Sequence, residues 1–219
     1  MGVIGEDKDE AGMLEDFTRF MDKHEPCMVT FNGRGFDLPV IAARCLKHGL
    51  PFAHYYKDRD VRYRFSATGH LDLMDFLSDF GSAKRSGLDV TAKLCGMPGK
   101  VGVDGKAVGP LIHAGRIDEV KAYCLCDVVQ TTGVLLRTQL LRGEISRTEY
   151  LKAMRSLMTA ALADERLGAV TRLWVEDHLL LGESLHEPVA SVGSHTHAQA
   201  EAVPVHSEGD ELSEAEPAA

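Results

Sequence analysis

Two carboxylates and a phenol are the side chains of this sequence best suited to hydrolytic chemistry. Asp37 lies in "TFNGRGFDLPVIAARC", residues 30–45, and Tyr123 and Asp127 lie in "YCLCDVVQTTG". Tyr123 and Asp127 are i and i+4 in a helix-like run, so they face the same way. Carboxylate oxygens are hard ligands suited to Mg²⁺ or Mn²⁺, and a phenol beside one can hold a water. Asp37 follows a strand-like run and a turn, which would place it beyond a strand's carboxyl end, where open α/β sheets bind ligands. Such a set forms part of a two-metal phosphodiester-cleaving site, where divalent ions activate water and stabilise the attacking and leaving oxygens. Each residue also has a plainer reading. An Asp at a helix start is commonly a cap, and a Tyr-x-x-x-Asp pair is commonly a solvated helix face.

The elements that must hold these residues are legible in part. "DEAGMLEDFTRFMDKHEP" carries Met13, Leu14, Phe17, Phe20 and Met21 at helical spacing, and Pro26 stops it. "CMVTF", residues 27–31, reads as a buried strand. Leu38–His48 reads as a helix, with Pro39 in its first turn and Gly49 just past its end. Gly33 and Gly35 do not make a dinucleotide fingerprint, because Leu38 stands where a third Gly is needed. They suit a tight turn and close backbone approach to a substrate. "VRYRF", residues 61–65, alternates as an edge strand would, and "HLDLMDFLSDFG" begins extended and turns helical near Leu73. "GLDVTAKLCGMPGK" is a short helix closed by Gly96, and "VGVDGKAVGP" a Gly-rich loop. A long helix spans Ile117–Arg142, capped by Gly143. Ser146 and Glu149 form a capping box that opens another helix, and a further helix is expected near 168–181. Only "CMVTF" reads as a central strand, and one buried strand cannot satisfy its own backbone.

Charge and composition bound the rest. The chain has 219 residues and a net charge of −9, but no Lys or Arg follows Arg172, while residues 173–219 are acidic. The body is therefore near neutral, which still permits a local basic patch for nucleic acid. "AKR", residues 83–85, with Lys93 and Lys100, would serve phosphate contact or plain solvation. No apolar run is long enough to cross a membrane, and the acidic "MGVIGEDKDEAG" is no secretory signal. Five cysteines fit reduced thiols, so a cytoplasmic location is expected. Cys124 and Cys126 point to different helix faces and should not chelate zinc together. His195 and His197 in "SHTH" are a candidate ligand pair, or incidental residues of a polar tail.

Taken together and in order, "FNGRGFDLP" resembles the second motif, and "YCLCD" the third, of DnaQ-like 3′–5′ exonucleases. The closer resemblance is to the predicted exonucleases related to the proofreading domain of family B DNA polymerases. It extends over residues 10–150 through "YRFSATGHLDLMDFLSDFG", "GLDVTAKLCGMPGK" and "AGRIDEVKAYCLCDVVQTTGVLLR". The resemblance implies an α/β, ribonuclease H-like fold with a mixed central sheet. It implies two divalent ions, Mg²⁺ or Mn²⁺, held by four carboxylates, and removal of nucleotides from a single-stranded DNA or RNA 3′ end. Asp37 and Asp127 match metal ligands of that family, and Tyr123 matches the residue that orients the attacking water. Asn32, Gly33 and Phe36 match positions that support the second motif at the substrate. Asp72 matches a recurrent Asp without an assignable role. The first motif, an Asp-x-Glu on the first strand, has no equivalent, so the chain is expected to begin inside the domain, lacking its first strands. The expected organisation is an incomplete ribonuclease H-like exonuclease domain over 1–145, a helical extension over 146–181 and a disordered acidic tail over 182–219. With two of four carboxylates, weak or absent activity is expected; the alternative is a non-catalytic nucleic-acid-binding or interaction protein of the same descent.

Overall fold

The computed structural model describes residues 4–185 except 6, 67 and 102–104. The acidic tail from residue 186 onward, with His195 and His197, lies outside the described residues. Helix α1 (Glu10–His24) starts at Asp9, whose carboxylate accepts the Gly12 N–H, and ends at Glu25 in the left-handed region. Strand β1 (Met28–Thr30) follows, then a turn and α2 (Asp37–His48), closed by Gly49 at φ 67°. Two short helices, α3 (Ala53–Lys57) and α4 (Arg59–Arg62), lead to β2 (His70–Asp72) and α5 (Leu73–Leu77). Then come α6 (Leu88–Leu94), α7 (Val108–His113), the long α8 (Ile117–Leu141), α9 (Arg147–Leu162), α10 (Gly168–Thr171) and α11 (Glu176–Leu179).

The partner that "CMVTF" requires is β2. The two strands pair in parallel, with Met28 opposite His70, Val29 opposite Leu71 and Thr30 opposite Asp72. Among the described residues this pair is the whole sheet. Where a mixed central sheet is expected for a ribonuclease H-like domain, the described residues hold one parallel pair of three-residue strands within a mostly helical body. The expected edge strand at residues 61–65 is instead the end of α4 and a turn. The reason is Arg34, whose guanidinium donates to the carbonyls of Val61, Arg62 and Tyr63 and so satisfies backbone that would otherwise seek a strand. Near 168–181 the single helix expected is two one-turn pieces, α10 and α11.

The main core lies under β2. Leu71 and Leu73 join Ala92, Cys95 and Met97 near α6, Val134 of α8, and Tyr150, Leu151, Met154 and Met158 of α9. Tyr150 is fully buried, and its hydroxyl donates to the Leu179 carbonyl, satisfying its one polar group. Residues 146–181 therefore contribute side chains to the same core as β2. A second cluster, Leu14, Met21, Leu38, Cys45 and Phe52, fastens α1 to α2. Helix α8, packed on α6, α7 and α9, is held on several sides, as an element carrying reactive groups should be.

Candidate active site

The turn between β1 and α2 shapes the site. Asn32 sits in the left-handed region at φ 67°, reversing the chain, and its carbonyl accepts the N–H groups of Gly35 and Phe36. The Gly33 carbonyl accepts the Leu38 N–H, and the Gly33 N–H donates to the Thr30 hydroxyl at 3.2 Å. A Cβ at Gly33 would lie 2.4 Å from that hydroxyl oxygen, so no larger residue fits without movement. Gly33 and Gly35 are thus residues of a tight turn. The turn delivers Asp37 to the first position of α2. The cap position itself is Phe36, which makes no side-chain capping bond, so Asp37 is not the ordinary cap that its place in the sequence allowed.

Helix α8 supplies the facing group. Tyr123 and Asp127 stand one turn apart, and the Tyr123 hydroxyl bonds to the Asp127 carboxylate. Asp37, Tyr123 and Asp127 line one cavity of about 640 Å³, walled by Val29 and Phe31 of the β1 segment and by Val128 and Leu135 of α8. A neighbouring cavity of about 450 Å³ shares Phe31, Tyr123 and Asp127 and adds Asn32 and Lys100. Phe36 is 62% exposed at the mouth of the larger one. Sequence positions about 90 residues apart therefore converge on one cleft.

Both carboxyls of the cleft are held above their usual range, chiefly by desolvation. Desolvation raises the Asp37 carboxyl above its usual value even though the side chain opens on solvent, and the Asp72 charge raises it further; a bond from its own amide opposes both. Desolvation raises Asp127 as well; the Tyr123 hydrogen bond and Lys100 pull it down, and Asp37 pushes it up. Two mutually repelling carboxylates in one cleft would gain from a divalent cation between them. Among the described residues no group of three or more His, Cys, Asp or Glu side chains comes together as a cation cage. The donors that line the cleft are thus two carboxylates and a phenol, fewer than the four carboxylates implied by the resemblance.

Asp72 does not reach the cleft. It is 4% exposed, and its carboxylate accepts four backbone N–H groups. Below the turn, Thr30 Oγ1 lies 2.8 Å from His70 Nε2, and the Arg34 guanidinium donates to the carbonyls of residues 61–63 and of His70. Thr30, Arg34 and His70 were not singled out by sequence. Their partners lie 27 to 40 residues away, so spacing along the chain carries no trace of the contact. The sequence offers Lys100 for phosphate contact or plain solvation; the fold sets it beside Asp127.

Comparison with known proteins follows the same lines. Residues 2–177 match the model of a family described as predicted 3′–5′ exonuclease related to the exonuclease domain of PolB. A 74-residue stretch is 32% identical to the catalytic subunit of DNA polymerase epsilon from Schizosaccharomyces pombe, covering 32% of this chain and 3% of that polymerase. No solved structure matches.

Proposed function

The chain belongs to the family of predicted 3′–5′ exonucleases related to the exonuclease domain of PolB, and on that premise we propose that its cleft receives the 3′ end of a single-stranded DNA or RNA. The convergence of Asp37, Tyr123 and Asp127 on one cavity carries this reading. The reaction is hydrolysis of the terminal phosphodiester: a water oxygen bonds to phosphorus, the bond to the 3′ oxygen breaks, and that oxygen takes up a proton. Asp37 and Asp127 would hold Mg²⁺ or Mn²⁺, which supplies charge stabilisation at the phosphoryl group. Tyr123 donates to Asp127, and its oxygen keeps lone pairs with which to accept a hydrogen bond from the attacking water. Asn32 and Gly33 shape the floor of the site beside the terminal nucleotide, and the exposed Phe36 ring offers a face for its base. The fold that fits this chemistry is ribonuclease H-like over residues 1–145, with residues 146–181 as a helical extension and 182–219 as a polar acidic tail.

Two carboxylates supply about half the negative charge that a pair of ions requires, so catalysis is expected to be weak. The same two-carboxylate donor set favours a second reading, a non-catalytic nucleic-acid-binding protein that keeps the cleft. Incubating 5′-labelled single-stranded DNA and RNA with Mn²⁺ decides between them. Slow shortening from the 3′ end that disappears in Asp127→Ala supports the enzyme. Single-strand binding without shortening supports the binder. No binding of either strand would overturn both.

A further inference from the structure

We propose that Asp72 is a positioning residue whose buried carboxylate sets the turn that aims Asp37 at Asp127. It stands opposite Thr30, at the end of the parallel strand pair, where β1 becomes the turn. Capping α5 needs only Oδ1, which accepts the Met74 and Asp75 N–H groups at 3.1 and 3.4 Å. The carboxylate does more than that. Oδ1 also accepts the Asn32 N–H at 2.9 Å, and Oδ2 accepts the Arg34 N–H at 3.0 Å. One side chain therefore ties the start of α5 to two amides of the turn, 38 and 40 residues away in the chain.

The turn needs such a tether. Asn32 holds a positive φ, uncommon for a residue with a side chain although Asn adopts it more readily than most, so contacts that hold it there help to define the turn. Its amide and that of Arg34 point to one buried acceptor, and a neutral side chain would leave at least one N–H unmatched in the interior. Arg34 extends the tether. While its amide is held by Asp72, its guanidinium grips the carbonyls of residues 61–63 and of His70. The Gly33 carbonyl then passes the geometry to Leu38 and so to the first turn of α2, where Asp37 sits.

The significance for Asp37 rests on the reading of the cleft as a cation site, so the test separates the two. Asp72→Asn keeps an oxygen to cap α5 but sets an NH₂ where Oδ2 accepted the Arg34 N–H. Asp72→Ser keeps a capping hydroxyl and loses both links to the turn, which provides a second variant if the first is unstable. Amide hydrogen exchange measured by NMR on the full chain should show Arg34 exchanging at least about tenfold faster in Asp72→Asn, and both Asn32 and Arg34 doing so in Asp72→Ser, with the amides of α9 unchanged in each. Calorimetric titration with Mn²⁺ should show affinity reduced about 10–100-fold, as for other groups that orient a metal ligand. Ser146→Ala, which weakens a helix start away from the cleft, should alter neither readout. Unchanged exchange at Asn32 and Arg34, or acceleration shared equally by α9, overturns the positioning role. Mn²⁺ affinity lost in Asp127→Ala but kept in Asp72→Asn overturns it as well. Equal Mn²⁺ binding by wild type and Asp127→Ala would instead remove the cation reading, and hydrogen exchange would still decide the tether.

Discussion

Asp37 and Asp127 carry the functional reading, and their partners say how each should respond to change. Asp127→Ala should abolish whatever Mn²⁺ binding and 3′ trimming the wild type has, because one carboxylate alone is a poor ligand set for a hard cation. Calorimetry and a labelled-strand assay measure the two losses. Tyr123→Phe removes only a hydroxyl that bonds Asp127. It should leave strand affinity unchanged and lower kcat about 10–100-fold, as expected for a group that places a water for attack; steady-state kinetics with KM measured separately checks the split. Of these residues Asp37, Tyr123 and Asp127 were legible by type and order. Arg34 and Thr30 were not, since a lone Arg between two glycines and a Thr at a strand end look ordinary until their distant partners are in place.

At the scale of elements, the β1–turn–α2 unit shows why local pattern served the site well. Glycines, a stop and a capped helix are near-neighbour effects, and they were read with boundaries close to those observed. Gly33→Ala tests the closeness of that turn. With a Cβ 2.4 Å from Thr30 Oγ1, the turn must shift, and a loss of about 1–3 kcal/mol in denaturant unfolding is expected. The capping box on α9 is a second local device, with Ser146 and Glu149 each bonding the other's backbone. Ser146→Ala should cost about 1 kcal/mol by chemical denaturation. Residues 61–65 failed as a strand for a non-local reason: alternating side chains suit a strand, but the carbonyls went to Arg34.

Across the whole molecule, stability rests on α8 and α9 closing over β2. Met154, 1% exposed in the main core, should lose about 2–5 kcal/mol on change to Ala, measurable by denaturant unfolding. The buried His70 gives the fold a pH dependence. Burial first, and then the Arg34 charge, lower its pKa to about 4 from 6.5, while Asp72, Asp75 and a bond with Val61 oppose the shift. The unfolded chain therefore binds a proton that the folded chain does not. This contribution is complete above pH 6.5 and falls away as pH drops toward 4, by up to about 3 kcal/mol. Unfolding free energies measured across that window should lose most of this slope in His70→Gln.

Sequence alone determined α1, α2, α6, α8 and α9, the strand β1, the turn chemistry and the identity of the two acidic residues and the phenol, because each depends on spacing of about 2 to 5 residues along the chain. Tertiary structure decided that β2 pairs with β1, that Asp37 and Asp127 share a cleft with Lys100 beside it, and that Asp72 turns inward to hold backbone rather than outward to a ligand. Those outcomes depend on which groups find one another across tens of residues, where hydrogen bonding and burial, rather than pattern, choose the partner.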